Sequence, residues 1–347
     1  VISPYYPQNF QQFTVELANK GITVLGIGQE PYEQLDQPLK DALTEYFRVD
    51  NLENLDEVKR AVAFLFYKHG PIDRIESHNE YWLELDAALR EQFNVFGAKP
   101  EDLKKTKFKS EMKKLFQKAG VPVVPGAVIE SDEDVDKAVK EIGLPMIAKP
   151  DNGVGAAATF KLETEDDINH FKAEWDHETV YFFEKFVTSS EICTFDGLID
   201  HDGNIVFSTT FDYAHTPLDL MIYKMDNSYY VLKDMDPKLR KYGEAIVKEF
   251  GMKERFFHIE FFRDGDDYIA IEYNNRPAGG FTIDVYNYAH SFDLYKGYAD
   301  IVAGEPFPVS QFEPLYCLAT SRRASSHYAY SEEELLGKTP PYPFWGD

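Results

Sequence analysis

Cysteine is nearly absent from the 347-residue chain, with Cys193 and Cys317 the only two. That pair implies neither a disulfide framework nor a cysteine-rich metal site. No apolar run approaches the roughly 20 residues of a membrane span. The opening VISPYYPQNF lacks the charged–apolar–small layout of a secretion signal. A soluble, cytoplasmic protein is therefore expected; Val1 is not an initiator Met, and native residues are expected before it. Basic residues are also in deficit, 36 Lys and Arg against 60 Asp and Glu, for a formal charge of −24. Such a field repels phosphate backbones and anionic membranes, so neither nucleic acid nor membrane is an expected partner. An anionic ligand would need a few Lys and Arg gathered locally. Two loop signatures are missing as well. No G-x-G-x-x-G follows the first strand-like run, and no GKS or GKT closes the glycine-containing loop at 151–158, so dinucleotide and P-loop readings lapse.

What is present centres on residues 256–277, FFHIEFFRDGDDYIAIEYNNRP. Residues 256–262 and 268–273 are aromatic and β-branched, with a polar turn between them, the pattern of an antiparallel hairpin. Side chains alternate along a strand, so His258, Glu260 and Phe262 share a face. Glu272 and Asn274 share one on the second strand, and Arg276 continues that line. Glu260, Glu272 and Asn274 offer only hard oxygen ligands, which suit Mg²⁺ or Mn²⁺ held together with phosphate oxygens. Singly, each acid reads as solvent-facing. Flanked by apolar residues and followed by Asn274-Asn275-Arg276-Pro277, they read together as a site.

Residues 1 to about 98 alternate helices (9–20, 56–69, 79–93) with strands (22–27, 72–76), which implies parallel βαβ units. His78-Asn79-Glu80 follows a strand, where open α/β sheets place ligands; Asn79 reads equally well as a helix cap. From Pro100 a single basic helix, LKKTKFKSEMKKLFQKAG, runs to Gly120 and stands out in an acidic chain. Residues 121–183 form a small α+β unit, with strand 145–149 leading into the loop Asp151-Asn152-Gly153-Val154-Gly155. Gly153 and Gly155 allow amide N–H groups to approach phosphate oxygens, and Lys149 adds a point charge. Glu184-Lys185-Phe186-Val187 leaves a strand. Residues 192–199 and 205–213 form a second hairpin, 237–251 a helix, and 282–303 one helical stretch. Arg322-Arg323 and the final TPPYPFWGD give no reading.

In that order and spacing the motifs resemble ATP-grasp enzymes, closest to the biotin carboxylase and carboxylate–amine ligase branch. The resemblance covers roughly residues 1–310, with its specific motifs inside 109–276. It implies an ATP-grasp fold of α/β and α+β units: a Rossmann-like unit at 1–105, basic helix and lid at 106–183, and a larger unit at 184–347. It implies ATP with Mg²⁺ or Mn²⁺, the metal on Glu260, Glu272 and Asn274. Lys109, ten residues before Ala119-Gly120-Val121-Pro122, and Lys149 would meet the phosphates, with Lys107 competing for the first place. Gly153 and Gly155 would add backbone contacts; Ala156-Ala157-Ala158 departs from the family's Gly-Ser-Gly-Val ending and removes a hydroxyl. Glu184, Lys185 and Val187 would face the adenine, Phe262 the nucleotide, and Glu191 the ribose. Arg276 would be catalytic, orienting the acid or its acyl phosphate, and His78 and Glu80 would face substrate. The implied activity is ADP-forming ligation of a small carboxylic acid, such as an amino acid, to an amine or thiol. A homodimer is compatible with it. Bicarbonate activation, a non-catalytic nucleotide-binding regulator and a structural α/β protein are the other readings. The first lacks a biotin-carrier segment or second synthetase half, the second sits poorly with the metal set, and the third leaves the motif order to coincidence.

Overall fold

A computed structural model describes residues 1–152, 158–189, 191–308, 312–323 and 325–338. The expected loop positions Gly153 and Gly155, and the tail from 339, lie outside the described residues.

The N-terminal unit contains α1 (Gln11–Asn19), β1 (Leu25–Gly28), α2 (Gln37–Ala42), β2 (Glu45–Arg48), α3 (Leu55–His69) and α4 (Leu83–Gln92). β1 and β2 pair in parallel, as alternating strands and helices require. The expected strand at 72–76 is reduced to an isolated bridge between Arg74 and Phe96, because only one residue there finds a strand partner. β2, four residues long, was not anticipated. An ion network ties this unit to the rest: Arg74 Nε lies 2.7 Å from Glu254, and part-buried Glu76 pairs with Arg90 at 3.1 Å and with Arg255. Burial works against the Glu76 carboxylate, yet the two guanidiniums hold it far below the ordinary carboxylate range.

The expected single basic helix is two, α5 (Pro100–Lys107) and α6 (Lys109–Lys118). Phe108 adopts an extended conformation and bridges Asn152, and the Lys109 amide donates to the Asp151 carbonyl at 3.0 Å. Asp151 is buried and caps α6 from a distance, accepting from the Ser110 amide at 2.8 Å and the Ser110 hydroxyl at 2.7 Å. These long-range bonds break the helix. A four-stranded sheet follows in the order β3-β6-β4-β5, from β3 (Gly126–Ile129), β4 (Met146–Pro150), β5 (Phe160–Leu162) and β6 (Tyr181–Lys185). It packs on α7 (Asp132–Ile142) and α8 (Glu165–Glu174) around its own core of Val135, Phe171 and Phe183. The proposed unit boundaries at 105 and 183 fall inside α5 and β6.

The largest sheet runs β12-β11-β7-β9-β10-β13, with β8 on β7. Its elements in chain order are β7 (Ile192–Ile199), β8 (Ile205–Thr209), β9 (Phe211–Tyr213), α9 (Pro217–Ile222), β10 (Ser228–Val231), α10 (Pro237–Phe250), β11 (Arg255–Asp264), β12 (Asp267–Asn274), α11 (Thr282–His290), α12 (Leu294–Val302), β13 (Cys317–Thr320) and α13 (Glu332–Lys338). All eight β7 residues are buried, because layers cover both faces. On one side α10 approaches so closely at Gly243 that a Cβ there would sit 2.1 Å from the Phe195 ring. The same core takes Met112 and Phe116 from α6. The other side packs α1, α11 and α12. The expected helix at 282–303 breaks at Ser291, which is left-handed, and Asp293 caps α12 by accepting from the Tyr295 amide at 2.9 Å.

Candidate active site

The three bodies meet around a cavity of about 2070 Å³. β11 and β12 place its floor. Glu260 stands directly opposite Glu272, and His258 opposite Asn274. The turn is tighter than the sequence suggested, with Gly265 at φ +59°. A bulge inserts Ile271 between the pairs Glu260–Glu272 and Phe261–Ala270. Along β11, Phe257, Ile259 and Phe261 enter the core while His258, Glu260 and Phe262 line the cavity. Asn274 and Arg276 line it too. Two carboxylates at paired positions, with an amide two residues on, form an all-oxygen donor set suited to Mg²⁺ or Mn²⁺ beside phosphate.

Glu260 is oriented by its neighbours. Tyr213 donates its hydroxyl to Glu260 Oε1 at 3.0 Å, and His258 Nε2 lies 3.4 Å from the same oxygen. The other ring nitrogen of His258 meets Asp196 at 2.6 Å; Asp196 also accepts from Thr194 at 2.6 Å and from Tyr286. Burial alone would lower the His258 pKa, but Asp196 and Glu260 raise it to about 9. Burial alone would raise Glu260, but His258 and Tyr213 hold it below the ordinary range. These partners favour the ionised carboxylate at the cavity wall.

Lys109 begins α6 and places its Nζ 3.5 Å from Glu272. Lys107, its competitor, also lines the cavity but is paired with Glu84 at 3.1 Å. Lys149, at the end of β4, also lines the cavity and lies 3.5 Å from Glu184. The segment from Glu184 to Val187 lines the cavity too, although the Lys185 ammonium turns away to the Gly143 and Leu144 carbonyls at 3.1 and 2.9 Å. Glu80 reaches in from the N-terminal unit and accepts from Arg276 Nε at 3.0 Å.

Two expected residues lie elsewhere. Glu191 is absent from the cavity lining; its side chain is 72% exposed and sits 4.0 Å from Arg263. His78 is buried in the core and does not line the cavity. It takes a left-handed backbone conformation, stacks on Phe13 at 4.1 Å and meets Tyr298 edge-on at 4.7 Å. Burial lowers its pKa from 6.5 to about 4. A histidine depressed in the folded state contributes stability that is present above pH 6.5 and lost as pH falls toward 4. Replacing His78 with Phe should therefore shrink the stability lost between pH 7.5 and 5 by about 2 kcal/mol. Denaturation midpoints at the two pH values check this; equal losses in both proteins would move the protonation elsewhere.

Sequence reading missed Lys113, His258, Tyr213 and Asp196. Lys113 carried a usable signal, since a residue four after Lys109 shares its helix face. The others are assembled by strand pairing across distant segments.

A family model described as an ATP-grasp domain matches residues 137–284. The L-arginine-specific L-amino acid ligase of Bacillus subtilis is 25% identical over 247 residues, 67% of this chain and 58% of that protein. The biotin carboxylase domain of Hydrogenobacter thermophilus 2-oxoglutarate carboxylase, a dimer solved with MgADP and bicarbonate, has a TM-score of 0.69 at 20% identity, covering 88% of this chain and 71% of that one. The L-amino acid ligase of Bacillus licheniformis has a TM-score of 0.65 at 14% identity, covering 84% and 70%. The chain spans less than two thirds of the length of the curated relatives it matches first. Among the described residues, no helix is long and apolar enough to cross a membrane. Residues 137–284 thus match an ATP-grasp domain, and the chain shares the fold of these solved structures.

Proposed function

We propose that this protein is an ADP-forming ligase that couples ATP cleavage to joining a small carboxylic acid, such as an amino acid, to an amine or thiol. The observation that carries the reading is the convergence in one cavity of Lys109, Lys149, the Glu260–Glu272–Asn274 set and Arg276. Similarity to an L-amino acid ligase supports the choice of acceptor class. Glu260, Glu272 and Asn274 would hold Mg²⁺ or Mn²⁺, which when bound supplies charge neutralisation at the phosphates.

The chain's own residues do the rest. Lys109, from α6, and Lys149, from β4, offset the charge of the triphosphate. The backbone from Glu184 to Val187 faces the base, and Phe262 gives it an apolar surface. Arg276 presents a planar fork to the acid. The acid oxygen attacks the γ-phosphorus, the bond to the β-phosphate oxygen breaks, and ADP leaves. The amine then displaces phosphate from the acyl phosphate to form the amide. Positioning and charge stabilisation account for such a step. Walls from the N-terminal unit and the small sheet keep water from the acyl phosphate.

ADP release with a panel of carboxylic acids, each with and without amines, tests the reading. Release that needs both an acid and an amine supports it. Release with bicarbonate alone would favour a bicarbonate-activating enzyme, and no release with any pair would remove the ligase assignment. Within this reading Lys149→Ala should weaken ATP binding by about 1.5–3 kcal/mol, the usual range for losing one charge-assisted contact. Calorimetry checks it, and an unchanged affinity would make Lys149 a surface residue.

A further inference from the structure

Lys113 is a buried ammonium at the cavity wall to which the mechanism above gives no task. It sits four residues after Lys109 on α6 and is 6% exposed. Among the described residues its one ion-pair partner is Glu184, whose Oε1 it meets; Glu184 Oε2 lies 3.5 Å from Lys149. One buried carboxylate thus divides its two oxygens between two lysines. The three groups stand on different supports. Lys113 belongs to a helix rooted in the large-sheet core, whereas Glu184 and Lys149 lie on neighbouring strands of the small sheet.

We propose that Lys113 is a positioning residue that lets Glu184 release Lys149 to the nucleotide. The proposal rests on the ATP-binding reading above. Before nucleotide enters, Glu184 restrains Lys149 beside the phosphate position. When phosphate oxygens draw Lys149 away, Glu184 would be left as a buried anion with no counter-charge, which is costly. Lys113 remains on its other oxygen and keeps the carboxylate compensated. Without Lys113, Glu184 has Lys149 as its remaining lysine partner and holds it against the nucleotide. Lys113 therefore acts through Glu184 and Lys149 and makes no phosphate contact of its own.

The test is ATP titration by calorimetry at fixed Mg²⁺ on Lys113→Met, Glu184→Gln, Lys149→Ala and their pairs, with melting curves on each. Lys113→Met should weaken ATP binding by about tenfold or more. Adding Lys113→Met to Glu184→Gln, or to Lys149→Ala, should change affinity by less than about threefold, because the link it acts through is already gone. These paired comparisons decide the matter even where Lys113→Met alone fails to fold, since the Lys113→Met, Glu184→Gln pair carries neither buried charge. A full loss persisting in both backgrounds would make Lys113 a direct phosphate ligand and overturn the proposal. A lower melting temperature with unchanged affinity would reduce it to a structural ion pair and overturn it equally. No ATP binding by the unaltered chain would remove the nucleotide reading itself, a failure visible before any variant is made.

Discussion

Arg276→Ala is expected to cut acceptor-dependent ADP formation by about a hundredfold to a thousandfold, the range seen when one preorganised donor is removed from developing charge. ATP affinity should change by less than about threefold, because the hydrogen bonds of Arg276 go to Glu80 and Pro277 and none goes to the Glu184–Val187 segment. Its guanidinium is fixed from two sides: Nε donates to Glu80 at 3.0 Å, and Nη1 to its neighbour's carbonyl, that of Pro277, at 2.9 Å. Nη2 makes no hydrogen bond among the described residues and is available to a carboxylate. Arg276→Lys keeps the charge but loses the fork, so it should recover little of the activity. A competing account would have Arg276 merely bracing the turn that follows by pairing with Asp284. Asp284 instead accepts from Asn9 at 3.0 Å and from Tyr295 at 3.1 Å. The remaining structural role is the pair with Glu80, whose loss would lower the melting temperature. A melt, an ATP titration and an ADP-release assay on one preparation separate the two. A destabilised variant with normal turnover per folded molecule would take Arg276 out of the active site.

Chelation should have the larger effect. After EDTA and gel filtration, ADP formation is expected to fall to background and to return with Mg²⁺ or Mn²⁺, since hard oxygen donors suit both. Glu272→Gln should raise the Mg²⁺ concentration for half-maximal turnover by about tenfold or more. Glu272 is the better position to change. Its salt bridge is to Lys109 at 3.5 Å, whereas Glu260 is built into the His258–Asp196 network and its loss would disturb the sheet. Melting temperature should therefore hardly move in Glu272→Gln. Full activity after chelation would end the metal assignment, whatever the variant does.

The hairpin was legible in the sequence because its information is local: alternation assigns faces, and the spacing of Glu260, Glu272 and Asn274 survives even a one-residue bulge. Lys149 and the stretch from Glu184 to Val187 were legible for a similar reason, each ending a short apolar strand. What failed depended on distant partners. Nothing in LKKTKFKSEMKK announces a break at Phe108, because Asn152 and Asp151 impose it from over forty residues away. His78 sits in a polar run and reads as a ligand, but Phe13 and Tyr298 turn it into the core. Glu191 has the expected spacing, yet its side chain points away from the cavity toward Arg263. The break after His290 could have been found, since Asp293 is an ordinary helix cap in plain view.

α6 has a consequence beyond placing two lysines. Met112 and Phe116 bury it in the large-sheet core, while Ser110 is bonded to Asp151 at the end of a small-sheet strand. α6 thus packs on one hydrophobic core while its first residues are bonded to the end of a strand of the other, the strand that carries Lys149. On the function proposed above, a nucleotide held by Lys109 and Lys149 together would crosslink two separately packed bodies. Its binding free energy would then be shared with the docking of the small sheet, and product release would require that crosslink to be undone.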